Sequence, residues 1–429
     1  MNNEALIRIM QFRQFKERIR GSEEYLIVGI DISKNQHHAF FGTANGKTIK
    51  RRLIFKNDFK GFMDFLSMAQ VLRGQNGLSQ IVFGMEPTGN YHKPLGTFLI
   101  KRNQEVVLVS GIATQRNREL LDGRWDKNDT KCAANVADLI SQGKCLFYDY
   151  PEPKISGLRS LLSLRERLKK NYHILRMRIR NNLVSEYFPE FDRYFGQSPK
   201  QTLSIVKYCL DPVKINQMEF KEFLLKVTTT NRGLAQEKRL RKIHALASES
   251  IGCESNRYTE FEAKILVDQM EQTTIFIKEI EDKIAEAAGE FEEYHFLLTI
   301  PGFGPYISAL VLAKIGNPFR FENRKQVLKM SGFDLSAKRS GKGSDKAYPV
   351  ISKKGSNALR YALFQGAVIA SSRNNYFIQY FTNTLKGREK ERGIKIKMRV
   401  KLAAKLLVIA WTIMKTKKAF DPALLFSVK

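Results

Sequence analysis

Two carboxylates in this sequence stand directly after apolar runs that are typical of buried strands. Asp31 follows "LIVGI" and Glu86 follows "IVFGM". A carboxylate in this place emerges at the edge of a sheet, where neighbouring strands can bring two such groups to one cation. A later helical stretch, "DTKCAANVADL", would supply a third acid, Asp129. Acids from distant parts of the chain are what a pair of hard divalent cations needs to hold and activate a phosphodiester.

The strongly basic composition bears on how these acids are interpreted. With 72 Lys and Arg against 43 Asp and Glu, the 429 residues carry a formal net charge of +29. That charge attracts polyanions, so nucleic acid is the expected partner. A single acid at a strand end also occurs as a turn or helix cap. Two of them in an otherwise basic protein favour a metal site.

The sequence gives no sign of a membrane or secreted location. Its apolar stretches stay below the roughly 18 to 20 residues that a spanning helix needs. The N-terminal "ALIRIMQFRQFKERIR" is interrupted by arginines and lacks the apolar core of a signal peptide. The four cysteines form no Cys-x-x-Cys pair, which argues against a disulfide framework and a zinc finger. We therefore expect a cytoplasmic protein with reduced thiols and no membrane partner.

Periodicity divides the chain into three regions. Residues 1–150 hold a helical N-terminal extension, three short β-type runs and then alternating helix and strand, an order typical of an α/β ribonuclease-H-like domain. Residues 151–297 carry leucines at three- and four-residue spacings, which predict long helices. These helices could form a dimerising coiled coil or pack on their own domain. Residues 298–429 predict a compact, mainly α domain.

A glycine-rich turn in the C-terminal region could bind phosphate. In "TIPGFGPYISALVLAKIG", Gly302 and Gly304 predict a tight turn before an apolar helix. Backbone N–H groups at such a helix start can cradle a phosphate. The pattern is that of a helix-hairpin-helix that binds DNA regardless of sequence, although a plain turn has the same composition.

A second C-terminal motif, "AKRSGKGSDKAYPVISKKGSNALR", is basic and rich in glycine. Ser340 lies among cations that can hold a phosphate beside its hydroxyl, but a serine needs a base or a metal to become a nucleophile. By spacing alone Ser344 and Ser352 are equally eligible, and a basic loop that only contacts the DNA backbone is the alternative. The cations predicted to contact nucleic acid are Lys338, Arg339, Lys342, Lys353, Lys354 and Arg360.

Together and in this order, the motifs resemble the insertion-sequence transposases that combine a RuvC-like DEDD domain with a C-terminal serine transposase domain. The resemblance rests on "VGIDISKN", "GMEPTGNYHKPL", "KNDTKCAANVADLI", "LLTIPGFGPYISALVLAKIG" and "MSGFDLSAKRSGKGS". It implies a DNA recombinase that excises and inserts its own mobile element. In that family a structured noncoding guide RNA pairs with donor and target DNA, and dimers join into a tetramer.

The resemblance also implies roles for individual residues. It places the family's acids at Asp31, Glu86 and Asp129, which would hold Mg²⁺ or, in its place, Mn²⁺, and it places the nucleophilic serine at Ser340. The family's fourth acid lies three residues after the third, where this chain has Cys132. A thiol with an unperturbed pKa of about 8.5 is mostly protonated at pH 7 and is a poor ligand for Mg²⁺.

Two other acids lie near enough in sequence to be considered for that fourth place. Asp138 follows Asp129 by about 900° of helical rotation and so lies on the opposite face. Asp126 fits only if the helix begins earlier than the sequence suggests. Three functions stay open: an RNA-guided transposase with a serine nucleophile, a RuvC-like junction-resolving nuclease that uses water, and a catalytically impaired derivative that binds nucleic acid. The cysteine at position 132 is the feature that keeps the third open.

Overall fold

The structure is a computed structural model that describes residues 3–121, 129–196, 199–228, 233–336 and 350–426. Its contacts divide the chain into two units, Met1–Pro151 and Glu152–Lys429. The first unit corresponds to the predicted α/β region. The second holds both the predicted helical middle and the predicted C-terminal domain. None of the described helices is long and apolar enough to cross a membrane.

The first unit is built on a six-stranded mixed sheet. Its strands are β1 (Tyr25–Asp31), β2 (Gln36–Thr43), β3 (Thr48–Lys56), β4 (Gln80–Met85), β5 (Glu105–Leu108) and β6 (Leu146–Phe147). They lie in the order β3-β2-β1-β4-β5-β6. Strands β1, β4 and β5 are parallel, whereas β2, β3 and β6 run antiparallel to their neighbours. The antiparallel meander followed by alternating helix and strand confirms the predicted order of elements.

Helices cover both faces of this sheet. Those described are α1 (Asn3–Arg18), α2 (Phe59–Gln75), α3 (His92–Ile100), α4 (Gly111–Leu121) and α5 (Asp129–Ser141). On one face, an apolar core that includes Val28 and Phe65 joins the sheet to α2 and α3. On the other face, a core that includes Ile27 and Val136 joins it to α1 and α5. Strand β1 is apolar on both faces because it is covered on both.

The described part of the second unit is helical except for a hairpin of β7 (Leu335–Ser336) and β8 (Val350–Ile351). A long helix, α6 (Pro153–Arg178), continues into a π-helical segment at Ile179–Val184. Shorter helices follow: α7 (Ser185–Tyr187), α8 (Pro199–Cys209), α9 (Pro212–Gln217), α10 (Phe220–Val227) and α11 (Leu234–Leu246). Then come α12 (Arg257–Gly289), α13 (Glu292–Leu298), α14 (Pro305–Ile315), α15 (Arg324–Ser331), α16 (Asn357–Arg373), α17 (Asn375–Leu385) and α18 (Ile394–Thr416).

The two longest helices of this unit, α6 and α12, lie side by side in opposite directions. Lys154 contacts Glu290 at 2.6 Å, and further along α6 the Arg165 Nε donates to Glu281 Oε1 at 2.8 Å. One end of the pair packs in the core of α13 to α18 and the other in the core of the middle helices. This pairing within one chain matches the expectation of helices that pack on their own domain. A dimerising coiled coil is not confirmed and stays a prediction.

Candidate active site

Strand alternation places Asp31 and Glu86 on the same side of the sheet. Ile30 on β1 and Met85 on β4 both belong to the core under α2 and α3. Successive side chains of a strand point to opposite faces. The side chains of Asp31 and Glu86, each one residue further along, therefore point to the face that α5 covers. Ile30 and Met85 are also partners in the parallel register of β1 and β4. The two acids come directly after these paired residues, so they lie at the same edge of the sheet, and both are half-buried.

Two glycines allow α5 to approach this face closely. A Cβ on Gly29 would overlap the backbone oxygen of Ala133 and would lie 2.6 Å from the backbone nitrogen of Ala137. A Cβ on Gly84 would overlap the Cδ1 atom of Ile140. Each glycine stands two residues before an acid, in "GID" and "GME". The same motifs that supply the acids therefore also admit the helix that supplies the third one.

The third acid, Asp129, is the first residue of α5. Its side chain is 62% exposed, and its Oδ2 atom lies 3.2 Å from Nε2 of His38 on β2. His38 is in turn the register partner of Asp31 across the antiparallel pair of β1 and β2. Directly opposite partners in such a pair project to the same face. Helix α5 thus brings Asp129 to the strand end that carries Asp31, and its charge also suits the positive end of the helix dipole.

Glu86 is held by a residue that the sequence analysis missed. The Oγ1 hydroxyl of Thr114 on α4 donates to Oε2 of Glu86 at 2.7 Å, and Thr114 is only 2% exposed. The same hydroxyl lies 2.9 Å from the backbone oxygen of Gly111, so its single proton is shared between that oxygen and Glu86. Thr114 thus orients the half-buried carboxylate of the second acid.

A buried polar network ties α4 to α5 next to this contact. Asn135 Nδ2 donates to the backbone oxygen of Thr114 at 2.7 Å. Asn117 Nδ2 lies 2.9 Å from Oδ1 of Asn135 and 2.6 Å from Oδ2 of Asp138. The network holds the helix of Thr114 against the helix of Asp129. It also engages the Asp138 carboxylate, which agrees with the expected placement of Asp138 away from Asp129, while Asp126 lies outside the described residues.

Cys132, in the place of the family's fourth acid, is buried on α5 at 8% exposure. It lies one turn after Asp129 and next to Ala133, the residue that packs on Gly29. Within the described residues, no three His, Cys, Asp or Glu side chains lie together as metal ligands. In the arrangement that the structure describes, Asp31, Glu86 and Asp129 are therefore not grouped as ligands of one ion. Their oxygens suit a hard divalent cation, whereas the Cys132 thiol does not.

The glycine turn of the second unit lies between α13 and α14. Gly302 has a positive φ of 90°, and a Cβ there would overlap the backbone oxygen of Gly366 on α16. Close packing against α16 thus accounts for glycine at this position. Gly304, the residue before α14, faces open space. The space that a Cβ would occupy is therefore filled by α16 at Gly302 and open at Gly304, and phosphate binding by the backbone N–H groups of this turn stays a prediction.

The predicted phosphate-binding cations of the second unit differ in their surroundings. Lys353 and Lys354 are exposed. Arg360 instead donates from Nη1 to the backbone oxygens of Ser331, at 2.8 Å, and Gly355, at 3.1 Å. Its guanidinium therefore links the C-terminal end of α15 to the loop that precedes α16. A purely phosphate-binding role was expected for Arg360, and the structure adds an internal one.

Ser340 and its neighbouring cations Lys338, Arg339 and Lys342 lie outside the described residues. The residues on either side of that segment form the hairpin of β7 and β8. Next to the hairpin, the Ser352 hydroxyl donates to Oδ1 of Asp334. Ser352, equally eligible as a nucleophile by spacing, thus already has a structural hydrogen bond.

Comparison with known proteins identifies the family. Residues 28–189 match the family model DEDD_Tnp_IS110, described as "Transposase", and residues 294–382 match one described as "Transposase IS116/IS110/IS902 family". The chain is an IS110/IS116-family transposase. A relative from Streptomyces clavuligerus, described as "Insertion element IS116 uncharacterized 44.8 kDa protein", is 21% identical over 409 residues, which cover 92% of this chain and 96% of the relative.

The two matched segments of the transposase contain the motifs found in the sequence. The first includes Asp31, Glu86 and Asp129, and a DEDD domain implies dependence on a divalent metal. The second includes Gly302 and Ser340. The prediction that the chain is an enzyme that cleaves and transfers DNA strands is confirmed, and DNA is its substrate.

Proposed function

We propose that this transposase acts through a metal site formed by Asp31, Glu86 and Asp129 and through a nucleophilic serine, Ser340. The observation that carries the proposal is that Asp31 and Glu86 follow paired residues of β1 and β4, while Asp129 at the N-terminus of α5 contacts His38, the register partner of Asp31. The carboxylates there would hold Mg²⁺, or Mn²⁺ in its place, since both ions prefer oxygen ligands. When bound, such an ion supplies Lewis-acid stabilisation to the phosphodiester and to the leaving oxygen.

In the proposed cleavage step, the Ser340 Oγ attacks phosphorus and gives up its proton. The Oγ–P bond forms as the P–O3′ bond breaks, and the departing 3′ oxygen takes up a proton to become a free hydroxyl. Lys338, Arg339 and Lys342 hold the phosphate during the exchange. A 3′ hydroxyl from another strand then reverses the reaction on the serine ester and rejoins the DNA. Bond energy is conserved in the ester, so the cycle needs no external energy source.

The remaining parts of the proposal concern partners. The net charge of +29 supports contacts with donor and target DNA and with a structured noncoding guide RNA that pairs with both. Further groups proposed to contact phosphates are Gly302 and Gly304 in the turn before α14, Arg360, and the exposed Lys353 and Lys354. The resemblance to RNA-guided insertion-sequence transposases also leads us to propose that this chain forms homodimers and that two dimers join into a tetramer.

A covalent-trapping experiment tests this function. The full-length protein, matching RNA and labelled donor and target DNA are incubated with Mg²⁺ or Mn²⁺, and protein-linked DNA is detected on a denaturing gel. Ser340→Ala should abolish both the adduct and the recombinant product. Ser344→Ala, in the same basic stretch, is the matched control and should retain both.

Other outcomes separate the alternatives. Cleavage that survives in Ser340→Ala without any adduct contradicts the serine mechanism and indicates a nuclease that uses water. Absence of cleavage by the wild-type protein with every divalent metal indicates a nucleic-acid-binding derivative. If recombinant product forms without the RNA, guidance by RNA is contradicted, whereas the serine mechanism is not.

A further inference from the structure

His38 is placed at the acidic site by two independent features of the fold. Its register partner across the antiparallel pair is Asp31, and its Nε2 atom lies 3.2 Å from Oδ2 of Asp129. The imidazole is thus next to the first acid in the sheet and contacts the third acid from α5. His38 itself is only 5% exposed, although Asp129 is largely open to solvent. The contact therefore anchors an exposed carboxylate to a buried ring.

The contact pairs a ring nitrogen with a carboxylate oxygen, Nε2 of His38 with Oδ2 of Asp129 at 3.2 Å. An ionised carboxylate can only accept hydrogen bonds, so the ring would face it with an N–H group. The contact involves one oxygen of Asp129, and the other is the proposed ligand of the cation. Polar contacts of this kind orient the ligands of metal sites and tune their affinity.

Nδ1 of His38 is buried and has no hydrogen-bond partner within the part of the chain that the structure describes, and the same holds for Nε2 of His37. The unpartnered nitrogen therefore does not distinguish the two histidines. What distinguishes His38 is its contact with Asp129.

We infer that His38 is a positioning residue of the metal site, which holds Asp129 in place from β2. The inference rests on the proposed function of Asp31, Glu86 and Asp129. It also concerns Cys132. By the family resemblance α5 would supply two acids to the site, and in this chain it supplies only Asp129, because position 132 is a cysteine. In this chain, a side chain from the sheet holds the remaining carboxylate of α5 at the site.

The neighbouring histidine offers a matched control. His37 faces the opposite side of β2, where its ring packs against Phe55 and Phe62 at centroid distances of 5.2 and 6.0 Å. Its Nδ1 accepts from the backbone nitrogen of Ser33 at 3.2 Å. His37 is as buried as His38 but belongs to the core under α2, so the same substitution there tests burial without touching the acids.

Mn²⁺ binding to the full-length protein tests the inference without relying on catalysis. Titration followed by the electron paramagnetic resonance signal of free Mn²⁺ gives a Kd for each variant. His38→Leu should weaken binding by roughly 10-fold or more, as loss of a ligand-orienting group does, whereas His37→Leu should leave Kd within about threefold of wild type. Equal Kd values for His38→Leu and wild type overturn the inference.

Two amide variants keep the test valid if His38→Leu does not fold. Glutamine can place its N–H group near the position of Nε2, whereas asparagine reaches only the position of Nδ1. His38→Gln should therefore retain Mn²⁺ binding and His38→Asn should lose it; equal behaviour of the two overturns the inference. A wild-type protein that binds no Mn²⁺ overturns the proposed metal site and the role of His38 together, and is thus distinct from a failure of His38 alone.

Discussion

The substitution Gly29→Ala tests whether close packing of α5 on β1 builds the acidic site. A Cβ on Gly29 would overlap the backbone oxygen of Ala133 and lie 2.6 Å from the backbone nitrogen of Ala137. Ordinary carbon contacts are roughly 3.5 to 4 Å, so the helix must move by at least about 1 Å. Because both obstructing atoms are backbone atoms, no side-chain rotation relieves the overlap. The same movement carries Asp129 away from Asp31.

We expect Gly29→Ala to lower the free energy of unfolding by roughly 3 kcal/mol, at the upper end of the usual cost of overpacking a core. Denaturant unfolding of the purified protein measures this loss. A 1 Å misplacement of a site group can cost roughly 100-fold in activity, so DNA cleavage by the folded fraction should fall by about that factor. Mn²⁺ affinity should fall with it.

Two other glycines supply controls for this prediction. Gly84→Ala meets Cδ1 of Ile140, the end of a flexible side chain, so its cost should be smaller than that of Gly29→Ala. Gly74→Ala, near the end of α2 with no atom within 4 Å of the new Cβ, should be neutral or stabilise by up to about 1 kcal/mol. If Gly29→Ala is as stable and as active as Gly74→Ala, the close contact of α5 with β1 does not build the site.

Four further predictions follow from single contacts. Thr114→Val should reduce the rise in melting temperature that Mn²⁺ gives, and Thr114→Ser, which keeps the hydroxyl that bonds Glu86, should not; equal shifts would exclude a role for that bond. In the presence of a chelator, Cys132→Asp should have a lower melting temperature than wild type. Mg²⁺ should raise the melting temperature of Cys132→Asp more than that of wild type, and an equal rise would exclude position 132 from the metal site. Burial raises the pKa of Glu105 from 4.5 to about 7. The protonated carboxyl therefore favours folding fully below about pH 4.5, and that contribution is lost as pH rises through about 7. Glu105→Gln should accordingly be more stable than wild type at pH 8, with an advantage that disappears near pH 4, and a constant difference would contradict this. Arg360→Met should lower stability by about 2 kcal/mol through loss of its bonds to Ser331 and Gly355. Lys354→Met should leave stability unchanged and reduce the salt dependence of DNA binding, and equal stability of the two variants would contradict the internal role of Arg360.

The sequence predicts the elements that carry the acids because their signals are local. Asp31 and Glu86 each end an apolar run that is long enough for a strand and is interrupted only by a glycine. The helix of Asp129 follows from its apolar spacing. The short gaps between the first three strands predict a meander, which the structure confirms. None of these inferences requires knowledge of which strands pair.

The residues that hold the acids could not be predicted, because they depend on non-local register. The run "HHAFFGT" is largely buried on both faces and has one histidine on each, so its composition does not show which histidine lies on the face of Asp31. A shift of one residue would exchange His37 and His38. Thr114 reaches Glu86 across 28 residues of chain. Arg360 could not be assigned an internal role for the same reason, since its partner Ser331 lies 29 residues away.

The central claim is that β1, β4 and α5 bring three carboxylates to one divalent cation. The most direct measurement is the anomalous scattering of Mn²⁺ in crystals of the full-length protein. We predict a manganese peak with oxygens of Asp31, Glu86 and Asp129 at roughly 2 to 2.3 Å. That peak should be lost in Asp31→Asn. A manganese ion bound elsewhere, or one that persists in Asp31→Asn with the same occupancy, would contradict the claim.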